Sequence, residues 1–296
     1  MQIRDVLLAI LISAVWGFNF VASKWAVVDL PPLTANLFRF IIVLIVLLPF
    51  LKIVKGKMRQ LLTVATLLGV VHFGLLFTGM SLAGGVSSIS VASQLNVPFA
   101  TLLAVIILKE TVGWYRIVGI TLSFVGVMIL GFDPKVFAYW DAVLLIVFGA
   151  FIFALSSVMM RQLKEVPAVR IQAWVALAAI LGSLTLSAIF ETGQIAAIES
   201  AGTRAWLAVV YTAVGSSLIG HGGANYLFRK YEISTVTPYF LIMPLFSIAS
   251  GVIFLDEVIS WELIVGGLFT ISGVLIVTIR NNIRLKPSKA PRAYVP

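Results

Sequence analysis

The chain of 296 residues contains no cysteine and only two histidines, and 11% of its positions are charged. Without cysteine there are no disulfides, no thiol chemistry and no thiolate-bound metal. So few charges cannot solvate the surface of a globule of this size, which excludes a large soluble domain. No zinc-protease histidine pair, intramembrane aspartate pair or serine with a placed basic partner is present either. No metal or cofactor is expected.

What is abundant is apolar sequence: 60% of residues are hydrophobic and the mean hydropathy is +1.09. A helix that crosses hydrocarbon needs about 20 apolar residues. Runs of that size occur near 6–27, 34–51, 61–81, 86–108 and 113–131, and again near 141–160, 169–190, 205–228, 234–255 and 261–280. The expected fold class is an all-α integral membrane protein with ten transmembrane helices. The first run follows Arg4 but has no small-residue cleavage site, so it reads as a retained helix and not a signal peptide.

Lys and Arg fall unevenly about these spans. Seventeen lie on the side of the N-terminus and three, Lys24, Lys135 and Arg204, on the other. The positive-inside rule then places both termini in the cytoplasm, in a cell inner membrane. The net charge of +9 follows from this asymmetry and from the tail RNNIRLKPSKAPRAYVP. That tail is expected to lie against anionic lipid, with no role in nucleic-acid binding.

The acidic residues are also confined, since all twelve, from Asp5 to Glu262, fall in expected loops or within about a turn of a helix end. Proton-coupled drug exporters and sodium symporters usually place a carboxylate inside the membrane to bind the cation. None is found here, and only the two histidines are left to titrate. Carriers of phosphorylated ligands need several cations in the cavity. Arg39 is the one candidate, expected near the external end of its span. Neutral or zwitterionic ligands fit what remains.

The sequence also repeats itself. KETVGWYRIVGITLSFVGVMI (109–129) aligns with DEVISWELIVGGLFTISGVLI (256–276), matching Glu110 with Glu257, Trp114 with Trp261, Gly119 with Gly266 and Gly126 with Gly273 at a constant spacing of 147. A duplicated unit of five spans has an odd number of crossings, so its second copy enters the membrane upside down. The expected organisation is a first repeat at 1–135, an inverted second repeat at 136–282 and a basic cytoplasmic tail at 283–296. Inverted repeats are the construction of secondary transporters, because exchanging the conformations of the halves produces alternating access.

Helical spacing selects the candidate interior face. The fourth span carries Ser87, Ser90, Gln94, Pro98 and Thr101 at steps of three or four, a polar stripe that should avoid lipid. Trp16, Asn19 and Ser23 share a face of the first span, and Ser217, His221 and Asn225 one of the eighth. His72 lies in the third, and Thr237, Tyr239 and Ser247 in the ninth. The candidate substrate-binding set is Trp16, Asn19, His72, Gln94, His221, Asn225 and Tyr239; Phe20, Phe73, Phe77 and Tyr226 are further candidates for an aromatic lining. Pro98 and Pro244 each remove a backbone donor within a span and are candidate hinges. Small Ser and Thr residues serve equally well in bonds between helices. Gly119, Ser123 and Gly126, with Gly266, Thr270 and Gly273, are expected to let the fifth and tenth spans pack closely. Glu110 and Glu257 are expected to favour the positive end of the helix that follows each.

The motifs AVWGFNFVASK (14–24), LFRF (37–40), NVP (96–98), IMP (242–244) and the repeated Glu–Trp–Gly pattern resemble the drug/metabolite transporter superfamily, in particular its EamA-type members and the YddG-like amino acid exporters. The resemblance covers the whole chain. It implies two EamA-type five-helix repeats around a central cavity and export of small metabolites, with amino acids, including aromatic and large apolar ones, foremost. Exporters of other drugs or metabolites, a channel, an integral-membrane enzyme and a lipid scramblase are the alternatives. The expected partners are a small-molecule substrate and the lipid bilayer, with no nucleic acid, and a monomer is compatible with the sequence.

Overall fold

The apolar runs form helices because their backbone groups have no other partners in lipid. The computed structural model describes residues 1–109, 113–231, 236 and 239–285, with the side chains of 108, 161, 225, 228, 229 and 280–285 outside that description. No strand occurs among the described residues. Eight helices are long and apolar enough to cross a membrane: α1 (Ile3–Asp29), α2 (Pro32–Phe50), α3 (Met58–Leu82), α4 (Ser87–Ile107), α6 (Trp140–Met160), α7 (Ala168–Phe190), α8 (Thr203–Ala224) and the Trp261–Ile279 part of α10 (Trp261–Leu285). Two further apolar helices are shorter, α5 (Trp114–Leu130) and α9 (Met243–Leu255). At 1.5 Å per residue the 17 residues of α5 span about 26 Å. This is a multi-pass membrane protein.

The helices pair in a pattern that survives exchange of the two halves. α1 packs on α9 and α8, while α6 packs on α4 and α3. α3 packs on α7, as α8 does on α2, and the pairs α2–α7, α5–α10 and α4–α9 map onto themselves. The backbone carries the same signature: Lys109 and Asp256, which end α4 and α9, are the two non-glycine residues with positive φ among those described, each at 53°.

α5 and α10 form the most extensive pair. A Cβ on Gly119 would lie 2.8 Å from the carbonyl oxygen of Gly273, so the seam needs the small residues found there. Ser123 donates to the carbonyl of Gly119 at 2.9 Å, and Thr270 donates to that of Gly266 at 2.8 Å. Both hydroxyls are thereby satisfied within their own helices while the seam closes.

The helix ends are held by carboxylates from distant elements. Glu257 was expected to serve α10, the helix after it, but it bonds to the start of α4 instead. It accepts from the backbone N–H of Val86 and Ser87 and from the Ser87 hydroxyl. The contact between α4 and α9 brings these N–H groups beside the α9–α10 turn, a proximity that no local pattern encodes. Glu191 likewise accepts from Leu33 and Thr34 at the start of α2, and Asp29 from Gly202 at the start of α8. Each carboxylate satisfies N–H groups that have no intrahelical acceptor. Glu110 and Thr237 lie outside the described residues.

Candidate functional site

Midway along α3 and α8 the backbone departs from α-helical geometry. Thr66–His72 and Thr212–Gly220 are both π-helical, and these widened segments end on or against the two histidines, His72 and His221. Widened turns leave carbonyls less regularly paired and recur at functional positions. One such carbonyl is used at once: Trp16 Nε1 on α1 donates to Ser216 O at 3.2 Å.

Trp16 is the centre of the cluster on the α8 side. Its ring lies 5.3 Å from the His221 ring and 5.0 Å from that of Phe240. Gly220 gives the indole its place, since a Cβ there would strike Trp16. Tyr239 packs, as Trp16 does, against the cluster of Ala9, Ile12 and Leu227, and its carbonyl accepts from Ser13 Oγ at 2.9 Å. On the other side His72 Nδ1 is 2.9 Å from Gly149 O on α6, and its ring is 5.1 Å from that of Phe153. The histidines thus face α1 and α6, which change places when the halves are exchanged. His72, His221, Trp16 and Tyr239 all stay partly accessible although they sit among packed helices.

The remaining candidates are spread more widely. Asn19 is buried, and its Oδ1 has no partner among the described residues. Gln94 is buried at an interruption in α4, where the helix passes through Gln94–Leu95 and restarts at Asn96. The α9 side is interrupted in the same register at Leu241–Ile242, restarting at Met243. Pro98 and Pro244 explain both breaks: neither can donate to the carbonyl four residues back, and tighter bonds form, Val97 N to Gln94 O at 3.2 Å and Leu245 N to Ile242 O at 3.0 Å. No hydrogen bond joins Asn19 or Gln94 to either histidine among the described residues. Asn225 lies in the helix that continues α8, with its side chain outside the description.

The polar stripe of α4 is buried, and its hydroxyls are satisfied by Glu257 and by carbonyls of their own helix. Phe20, Phe73 and Phe77 are core residues, while Tyr226 is exposed at 45% and bonds to Lys230 at 3.1 Å.

Two features escaped sequence reasoning. Arg39 is only 1% exposed and packs against residues midway along α3 and α8. An arginine inside an apolar run was the available signal, and only packing could give its depth. The second is a latch between the start of α1 and the end of the α8 helix: Asp5 accepts from Lys230 at 2.9 Å and from the Tyr231 hydroxyl at 2.6 Å. The Asp5 carboxylate holds the Lys230 ammonium above its ordinary value.

Two surface grooves are also present, the first touching the widened segment of α3 at Thr66 and Val70. One of about 450 Å³ runs between α3 and α7 past Leu62, Val70, Trp174 and Gly182 and is almost wholly apolar. The other, about 490 Å³, is bordered by Asp133, Lys135, Tyr139 and Glu257.

Known proteins share this architecture. Residues 4–132 and 140–279 each match the EamA-like transporter family. A probable amino-acid metabolite efflux pump of Escherichia coli (strain K12) is 26% identical over 286 residues, covering 93% of this chain and 95% of the relative. A protein of the same description from Salmonella typhimurium is 25% identical over 288 residues, with the same coverage. An uncharacterized transporter of Archaeoglobus fulgidus is 24% identical over 271 residues, covering 88% of this chain and 94% of that one. One crystal structure, 17% identical, superimposes with a TM-score of 0.62 over 96% of this chain and the whole of the other, a likeness of fold. With two matched units spanning nearly all of its length, the chain belongs to the EamA-like transporter family and is a transporter, not an enzyme.

Proposed function

We propose that the protein exports small neutral or zwitterionic metabolites by alternating access, with amino acids, including those with aromatic or large apolar side chains, as the foremost substrates. In this reading ten spans form two inverted five-helix repeats, 1–135 and 136–282, with both termini in the cytoplasm. The observation that carries it is the pair of widened segments in α3 and α8, ending at His72 and His221. Discontinuous helices at corresponding places of two repeats mark binding sites in secondary transporters. The helix pairings that survive exchange of the halves support the same reading. So do the two relatives described as probable amino-acid metabolite efflux pumps.

Within that frame His221 and Asn225 hold the polar head of the substrate from α8, with Trp16 and Tyr239 beside them. His72, Asn19 and Gln94 approach from the first repeat. Aromatic and aliphatic walls receive the side chain, gaining about 25 cal/mol for each Å² of apolar surface buried. The interruptions at Pro98 and Pro244 serve as hinges.

Purified protein in liposomes, preloaded with unlabelled amino acid, is expected to take up labelled amino acid by counterflow, and His221→Ala and Asn225→Ala should slow it while remaining monodisperse. Scrambling or chemical conversion of lipid without counterflow would overturn the reading in favour of a scramblase or enzyme. Solute flux without exchange would favour a channel.

A further inference from the structure

Arg39 is held without a counter-charge. Its Nε and Nη2 donate to Ser217 Oγ at 3.2 and 3.0 Å, and no carboxylate among the described residues pairs with it. Its Nη1 is buried with no hydrogen-bond partner among the described residues. The Ser217 hydroxyl spends its own proton on Thr212 O, five residues back in the widened turn of α8, at 3.2 Å. Its oxygen is therefore free to accept from the guanidinium.

Around this the charge is caged by rings: the guanidinium carbon lies 4.8 Å from the Phe73 centroid, 5.4 Å from Phe40 and 5.7 Å from Phe77. Ring faces stabilise a cation in part, but they accept no conventional hydrogen bond and leave Nη1 unsatisfied. A fully buried, always-charged group with an idle donor edge is costly to maintain unless some state of the protein supplies an anion.

The surroundings indicate where that anion would come from. Phe73 follows His72 directly, and Ser217 is one helical turn from His221. Arg39 therefore sits between the two widened segments, against the neighbours of both histidines. A guanidinium presents parallel N–H donors that match a carboxylate, and Nη1 with the remaining Nη2 hydrogen offers such a fork. From this geometry we infer that Arg39 recognises the carboxylate of the transported molecule, so that the substrates are acids or zwitterions bearing a free carboxylate and not their amides, esters or amines. The inference rests on the transport reading above and names the substrate group that its site must contain.

The test compares ligands that differ only at that group. L-phenylalanine and L-leucine are set against their amides, and 3-phenylpropionate against 3-phenylpropionamide. The readouts are thermal shift of the detergent-purified protein and inhibition of counterflow in liposomes. The wild type is expected to bind each carboxylate on the order of 10- to 100-fold more tightly than its amide, the range for one hydrogen-bonded charge pair. Arg39→Gln should bring each acid down to its amide, and Arg39→Lys, which keeps the charge but not the fork, should fall between.

Equal binding of acid and amide by the wild type overturns the inference without needing any variant to fold. So does an undiminished acid preference in Arg39→Gln, or stabilisation by chloride that carboxylates do not exceed. If 3-phenylpropionate binds through Arg39 but no amino acid exchanges, the amino acid reading fails and the arginine's role stands. If amino acids exchange without discrimination from their amides, the reverse holds.

Discussion

Gly126 and Gly266 face each other so closely that a Cβ on either would lie 2.6 Å from the carbonyl oxygen of the other. This reciprocity joins the last helix of one repeat to the last helix of the other. Gly126→Leu or Gly266→Leu must push α5 and α10 apart, and overpacking of this kind costs about 1–3 kcal/mol. A lower melting temperature in detergent is expected for each, and an unchanged one would show that the seam tolerates separation.

Glu257 holds the start of α4 by accepting from two backbone N–H groups and a hydroxyl. Glu257→Ala is expected to destabilise by about 0.5–2 kcal/mol, the range for a lost helix cap. Glu257→Gln, which keeps one acceptor oxygen, should lose less. Melting curves of the two variants check the order; equal losses would point to the negative charge and not the hydrogen bonds.

The Asp5–Lys230 contact has a defined pH window. The Lys230 value is raised in the folded protein by its hydrogen bond to Asp5. Its contribution is thus complete below the ordinary lysine value of 10.5 and lost as pH rises through the raised folded value. Lys230→Met should lower the melting temperature near neutrality, where the contact is intact, and bring the difference from the wild type towards zero as pH rises above 10.5, measured by melting temperature against pH. If the latch closes this end of the pathway, Asp5→Asn should also raise the labelling rate of a cysteine placed at Tyr239.

Topology is open to direct measurement. A reporter inserted after Lys57 is expected to be cytosolic and one near Ala196 external, by the distribution of basic residues. Both reporters on one side would sink the inverted arrangement.

Gly220 lies against Trp16 without room for a side chain. Gly220→Ala should displace the indole from Ser216 O and from His221. The variant is expected to reduce counterflow while leaving the melting temperature within a few degrees of the wild type, since Trp16 is only partly buried. Unchanged counterflow would place the substrate away from this cluster.

The sequence by itself determined the membrane class and the repeat, because each is written in a local or periodic property. Hydropathy fixes what can lie in lipid, and the spacing of 147 between Glu110 and Glu257 or Gly119 and Gly266 is a comparison of letters alone. The small faces of α5 and α10 were legible for the same reason, since glycine at a helix seam has one common use. Only the tertiary structure decided which distant groups meet. That Glu257 serves α4, that Trp16 bonds the widened turn of α8, and that Arg39 rests on Ser217 and against the Phe73 and Phe77 rings all depend on contacts spanning more than 30 residues. Helix periodicity says which face a residue occupies, but the depth of a charge and the identity of its partner are set by how the helices cross, as ridges and small residues on both faces select one packing among several.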